Sequence, residues 1–191
     1  MDRDDELHLV AALRRGEAGA LERLYVAYRS RIFGFLLRLC RDRNTAEDLY
    51  QNTWLKVARA APRLREDSDL EAWLFTVARN EYKSHRRAEL VDFSRIFAFG
   101  LEQHGFSEPP GEAGMDLERV GEALGQLADS DRELLLLVGV EGLDPRQAAS
   151  VLGISYDALR QRLARARRRF SERLSALESE APTPRPKVSE S

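Results

Sequence analysis

The chain has 191 residues, 43% hydrophobic and 32% charged, a balance that suits a soluble helical protein rather than a disordered one. No run of about 18 apolar residues occurs, so no transmembrane helix is expected, and the acidic start Met1-Asp2-Arg3-Asp4-Asp5 lacks the apolar core of a signal peptide. A net charge of −2 argues against a general nucleic-acid binder, and the single cysteine, Cys40, excludes an internal disulfide or a cysteine zinc site.

Almost every periodic segment predicts helix. A short helix covers 5–15 and a second covers 18–41, where Leu21, Leu24, Tyr25, Tyr28, Ile32, Phe35, Leu36 and Leu39 recur at the three-four spacing of a buried stripe. Cys40 follows these leucines and reads as a small buried hydrophobe in a reducing compartment. Asp42-Arg43-Asn44 breaks the pattern, and Thr45 is the expected N-cap of a third helix that Pro62 stops near Ala61. After the loop 63–67, Ser68-x-x-Glu71 has the form of a capping box for a fourth helix to about Glu89.

Gly100, Gly105, Pro109, Pro110, Gly111 and Gly114 then mark a linker, in which Phe93, Ile96, Phe97, Phe99 and Phe106 supply apolar anchors. A second helical set begins near Asp116. Ser130-x-x-Glu133 predicts a capped helix through Val140. Asp144 is the expected cap of the next helix, with Pro145 at its first position and Gly153 just past its end. Ser155 opens the last helix, to about Leu177, and Pro182, Pro184 and Pro186 mark a disordered tail. No stretch alternates like a strand. The expected fold is all-α: two small helical domains, 1–90 and 116–178, joined by a flexible acidic linker, 91–115, with a tail at 179–191.

The near-neutral average hides two charged blocks. Residues 155–173 hold seven arginines against Asp157 and Glu172, a net +5, while 88–118 hold seven acids against Arg95, a net −6. Such a basic block points to phosphate. It lies in a helix-turn-helix pattern. Ala149 permits close helix approach, Gly153 accepts the turn, and Leu159 packs the second helix on the first. Leu159, Leu163, Ala166 and Phe170 form the buried stripe of the last helix, which turns Arg160, Gln161, Ala164, Arg165 and Arg168 to another face. Arginine reads guanine through two bonds, glutamine reads adenine, and alanine fits a thymine methyl. Arg167, Arg169 and Arg173 lie farther along or off that face, where phosphate contact is expected.

In the first domain, residues 69–87 place Leu70, Trp73, Leu74, Val77 and Ala78 on one side of a helix. Thr76, Arg79, Asn80, Lys83, Arg86 and Arg87 lie on the other, beside the polar loop Arg65-Glu66-Asp67-Ser68. This basic face suits single-stranded or distorted DNA. The helix 45–61 turns Ala46, Leu49, Tyr50, Thr53, Trp54 and Val57 inward. Asp48, Gln51, Asn52 and Arg59 face out around Leu55, a leucine framed by hydrogen-bonding groups such as a protein partner uses.

These residues resemble a family. Ala46-Glu47-Asp48-Leu49-Tyr50-Gln51-Asn52-Thr53-Trp54 and Trp73-Leu74-Phe75-Thr76-Val77-Ala78-Arg79-Asn80 are similar to domain 2 of extracytoplasmic-function sigma factors. Ala123-Leu124, Gln126-Leu127, Glu141-Gly142-Leu143, Ala148-Ala149, Val151-Leu152-Gly153-Ile154-Ser155 and the run Arg162-Leu163-x-Arg165-Ala166-Arg167 are similar to domain 4. The resemblance implies that Asp48, Gln51, Asn52 and Leu55 dock on the β′ clamp helices of core RNA polymerase. Gln51-Asn52 stands where the family usually has Gln-Glu, one charge fewer. It implies that Arg65, Asp67, Ser68, Thr76, Arg79, Asn80, Lys83, Arg86 and Arg87 serve the −10 element, and that Tyr156, Arg160, Gln161, Ala164, Arg165 and Arg168 meet the −35 element. The implied partners are core polymerase, through the clamp helices and the β flap, promoter DNA, and an anti-sigma factor gripping the interdomain region. The implied protein is a cytoplasmic monomer when free, without cofactor or catalysis.

Two other readings compete. A conventional helix-turn-helix regulator with a sensing or dimerising first domain shares the C-terminal pattern but leaves Asp48, Gln51, Leu55 and the Asn80 face without a role. An enzyme finds no support, since His8, His85 and His104 lie in three different segments.

Overall fold

The computed structural model describes residues 3–97 and 115–180. Eight α-helices account for nearly all of them: α1 (Arg3–Arg15), α2 (Ala20–Cys40), α3 (Arg43–Ala60), α4 (Leu70–Phe97), α5 (Met115–Gly125), α6 (Asp129–Leu135), α7 (Pro145–Leu152) and α8 (Tyr156–Glu180). A 3-10 turn (Ala61–Arg63) follows α3, and a π-helical turn (Leu136–Val140) extends α6. Among the described residues there is no strand, and no helix is long and apolar enough to cross a membrane. The linker residues 98–114 and the proline-bearing tail from 181 lie outside the described residues, whereas α4 runs on to Phe97, well beyond the expected end near Glu89.

The N-terminal set, α1 to α4, closes around Leu24, Ile32, Phe35, Leu36, Leu70, Leu74 and Phe75, all fully buried. Phe35 and Phe75 meet edge to face at 5.2 Å. The C-terminal set, α5 to α8, closes around Leu134, Leu136, Leu137, Leu143, Val151 and Leu159. Cys40 is partly buried, and burial pushes its thiol up to about 12, with Glu89 and Asp42 adding to the shift. That leaves it protonated and inert.

Several helix starts differ from expectation. Asp42, not Thr45, caps α3: its carboxylate accepts the Asn44 N–H at 3.2 Å and also takes the Thr45 hydroxyl at 3.4 Å. Arg41 in the left-handed region, φ 59°, makes the tight break before it. Asp69, not Ser68, caps α4 by accepting the Ala72 N–H at 2.9 Å, while Ser68 accepts the Arg65 N–H at 3.0 Å. The expected box at Ser130 and Glu133 does not form either. Helix α6 starts at Asp129 without a side-chain cap, and Glu133 bonds Arg79 instead.

The two sets pack against each other, which nothing in the sequence indicated. Helix α7 lies along α4, and α6 with its π turn meets α2. The contact is rich in arginine. Arg132 donates to the carbonyl of Leu39 at 3.3 Å while also closing the α5–α6 turn through Leu124, Gly125 and Leu127. Arg31 reaches Glu141 at 3.3 Å and pairs with Glu71 within its own set.

Candidate nucleic-acid interface

Helices α7 and α8 form the helix-turn-helix. Asp144 accepts the Arg146 N–H at 2.8 Å, and Gln147 reaches back to the Asp144 N–H at 2.9 Å, the reciprocal arrangement of a capping box. Gly153, with φ 67°, ends α7 in the left-handed conformation that glycine adopts without strain. Ser155 then accepts the Ala158 N–H at 3.2 Å and starts α8. Burial of Leu159, Leu163 and Ala166 fixes the rotation of α8, so Tyr156, Arg160, Gln161, Ala164, Arg165 and Arg168 all face outward and are exposed.

Among the described residues Arg160 and Arg165 have no acidic partner, and Arg168 reaches Glu172 only at 3.5 Å. Tyr156 organises the start of the row. Its ring centroid lies 5.1 Å from the Arg146 guanidinium carbon and 5.9 Å from that of Arg160. Cation–π attraction thereby gathers two arginines from two helices, a contact that sequence spacing does not reveal. Arg169, expected to contact phosphate, has an acidic partner within the C-terminal set. It bonds Asp131 at 2.6 Å and ties α8 to α6.

In the N-terminal set, α3 buries Ala46, Leu49, Thr53 and Val57. Asp48, Gln51, Asn52 and Leu55 are exposed together on the opposite side, Leu55 at 55%. Tyr50 and Trp54 flank that row and join Tyr25 and Phe33 of α2 in an aromatic cluster, with Tyr25 and Trp54 at 4.9 Å and Phe33 and Tyr50 at 5.6 Å. Sequence reasoning missed this cluster because its rings come from two helices.

The loop before α4 is tied by Arg65, whose guanidinium holds both oxygens of Asp67 at 3.1 and 3.2 Å. That hydrogen bonding keeps the exposed Asp67 carboxyl below its usual range. On α4, Asn80, Lys83, Arg86 and Arg87 are exposed, while Thr76 is half-buried and donates to the Ala72 carbonyl at 2.7 Å. Arg87 donates to the Lys83 carbonyl at 3.3 Å, and Arg86 pairs with Glu89 at 2.8 Å and with Asp129 at 3.4 Å.

Arg79 is not on an open face with them. It is 8% exposed, bonded through two nitrogens to Glu133 at 2.7 and 3.2 Å and through the third to the Val151 carbonyl at 3.2 Å. The reason is that α4 is covered twice, by α2 and α3 on one side and by α7 on another. Lys83, Arg86, Arg87 and Arg162 rim the resulting cleft, with Tyr82, Leu134, Leu152 and Ile154 within it.

Comparison with known proteins gives this geometry a family. Residues 24–90 match the model of sigma-70 region 2, and residues 117–170 match that of sigma-70 region 4. The chain is 33% identical over 140 residues to the ECF RNA polymerase sigma factor EcfG of Rhodopseudomonas palustris, covering 72% of this chain and 75% of the relative. It is 32% identical over 171 residues to the RNA polymerase sigma factor CarQ of Myxococcus xanthus, covering 87% and 96%. Among solved structures, the sigma factor RpoE of Bartonella quintana, in complex with the anti-sigma factor NepR, superposes with a TM-score of 0.72 and 27% identity, covering 83% of this chain and 98% of that one. The regions fall in the family's order, on the helices that carry the exposed rows. The chain therefore belongs to the extracytoplasmic-function family of RNA polymerase sigma factors, alternative sigma factors that direct transcription initiation.

Proposed function

We propose that the exposed row Asp48, Gln51, Asn52 and Leu55 docks this sigma factor on the clamp helices of the polymerase β′ subunit. The observation that carries the proposal is Leu55, 55% exposed within a patch of hydrogen-bonding side chains on a helix whose other side is fully packed. Burying such a leucine against a partner while polar neighbours set the register is how small interfaces gain both affinity and specificity. Asn52 keeps hydrogen-bonding capacity where the family has a carboxylate, so docking is retained with one charge fewer.

The same reading assigns the other two surfaces. Arg65, Asp67 and Ser68 of the loop, with Thr76, Arg79, Asn80, Lys83, Arg86 and Arg87 of α4, serve the −10 element, where an extruded base is read on its pairing edge. Tyr156, Arg160, Gln161, Ala164, Arg165 and Arg168 enter the major groove at the −35 element. Residues 1–90 then form the −10 and docking domain, 116–178 the −35 domain that meets the β flap, and 91–115 the connector. The protein works in the cytoplasm as a binding factor without chemistry or cofactor of its own. Like RpoE of Bartonella quintana, which is bound by NepR, it is held in check by an anti-sigma factor.

The test is the double variant Gln51→Ala, Leu55→Asp. Both positions face solvent, so the melting temperature is expected to change little. Co-purification with core polymerase and promoter-specific transcription are expected to be lost together. Retention at wild-type level would remove α3 from the dock.

A further inference from the structure

Three acids open α1, Asp4, Asp5 and Glu6, and acids in a first turn ordinarily do no more than complement the helix dipole. Glu6 also reaches out of its own helix. Its side chain is only 15% exposed, and one oxygen accepts the backbone N–H of Leu70, at the start of α4, at 2.7 Å. The other oxygen accepts from Arg3 at 2.9 Å, which orients the carboxylate. Leu70 is fully buried, so water has little access to an N–H that α4 itself leaves without a partner. Asp69 supplies the local cap of α4 through the Ala72 N–H, and Glu6 supplies a second cap from another helix.

Farther along, α1 holds the same segment again. Arg14 donates to Glu66 at 2.5 Å, and both line one groove with Leu7, Ala11 and Pro62. Glu6 and Arg14 are eight residues apart in sequence, about 12 Å along a helix, so α1 grips the segment 66–70 at both ends. The bonds inside the loop act differently. Ser68 accepts the Arg65 N–H at 3.0 Å and donates its own N–H to the Arg65 carbonyl at 3.2 Å, while Arg65 holds Asp67. These bonds fix the shape of the turn but not where it stands relative to α4.

We propose that α1 is the positioning element of the −10 loop: Glu6 and Arg14 hold Arg65, Asp67 and Ser68 in the register at which an extruded base is read. This rests on the assignment of that loop to the −10 element and adds what sets its geometry. A base edge is recognised only within the narrow distance and angle range of a hydrogen bond. A loop ordered before the base arrives loses little further freedom on binding it. Glu6 is the stronger anchor, because the pair of Arg14 with Glu66 is open to solvent, Glu66 being 83% exposed. Both residues act through the loop and touch no base.

The experiment uses the full chain as holoenzyme on one promoter found by run-off transcription, altered singly across the −10 and the −35 elements. Glu6→Ala is expected to compress discrimination at −10 positions by about threefold to tenfold, the scale of one lost helix cap, and to leave −35 ratios unchanged. Glu6→Gln keeps an acceptor for the Leu70 N–H and is expected to restore wild-type ratios. Arg14→Ala is expected to give a smaller shift of the same kind, about twofold, and carries the test should Glu6→Ala not fold. A merely structural role would lower all promoters alike, so a uniform loss overturns the proposal. An equal loss in Glu6→Ala and Glu6→Gln overturns it too. Asp67→Ala separates the two layers. If that variant leaves −10 discrimination intact, the loop does not read the −10 element, and the role of α1 falls with that assignment. If it shifts discrimination while Glu6→Ala and Arg14→Ala do not, the role of α1 alone is overturned.

Discussion

Asp69 and Gln147 each close the N-terminus of a helix in a different domain, and they are bonded to each other at 2.8 Å. One oxygen of Asp69 caps α4 through the Ala72 N–H at 2.9 Å, and the other accepts from the Gln147 amide. The oxygen of that amide accepts the Asp144 N–H at 2.9 Å and completes the cap of α7. The start of α4 and the start of the helix-turn-helix are thus a single hydrogen-bonded unit. Asp69→Ala is expected to cost about 1–2 kcal/mol, the scale of a lost cap. A double-mutant cycle with Gln147→Ala is expected to return a coupling of about 0.5–1.5 kcal/mol in urea unfolding, and strict additivity would mean that the bond does not hold the domains.

Glu141 makes the contact sensitive to pH. Burial pushes its carboxyl above the ordinary range, Arg31 and Arg38 pull it back only in part, and Glu71 adds to the rise. When the domains separate, the carboxyl regains its ordinary value. The closed state therefore binds this proton more tightly. Its contribution is present at low pH and is lost as pH rises through the raised value. Scattering between about pH 7.5 and 5 is expected to show contraction, and Glu141→Gln is expected to flatten that response. Contraction of the same size in the variant would assign it to another group.

Tyr156 holds Arg146 and Arg160 against its ring. Tyr156→Phe keeps the ring and is expected to behave as wild type. Tyr156→Leu keeps bulk but not the quadrupole, and is expected to weaken discrimination at the base met by Arg160 by about 0.5–1 kcal/mol. Transcription from promoters altered singly across the −35 element is the measurement. Equal loss in both variants would place the role on the hydroxyl instead.

Arg165 and Arg169 differ by one helical turn and by their partners. Arg165→Ala is expected to cost about 1–3 kcal/mol of base discrimination with the fold intact. Arg169→Ala takes the partner from Asp131, a carboxylate only 12% exposed, and is expected to lower stability by about 1–3 kcal/mol while leaving −35 preference unchanged. Thermal melts beside the same promoter set separate the two. Similar, sequence-independent losses for both would move the reading face off Arg165.

What the sequence conveyed follows the range of each interaction. Asp144, Pro145 and Gly153 were legible because a cap and a left-handed stop are settled within one turn. The outward row on α8 and the Leu55 row on α3 were legible because each helix buries one stripe only. Ser68-x-x-Glu71 and Ser130-x-x-Glu133 misled because Glu71 and Glu133 bond Arg31 and Arg79, partners 40 and 54 residues away. Arg79 looked solvated for the same reason: the periodicity of α4 marks one buried side, and the second is covered by a domain that local spacing does not see.

Run-off transcription with purified core polymerase on a library of promoter fragments tests the central claim most directly. Wild-type chain is expected to produce discrete start sites that share a −35 and a −10 element. The Gln51→Ala, Leu55→Asp chain, with every DNA-facing residue unchanged, is expected to yield none above core polymerase alone. Discrete starts with both chains would contradict the docking face. No starts with either, alongside tight binding of the free wild-type chain to a palindromic duplex, would contradict the sigma-factor account as a whole.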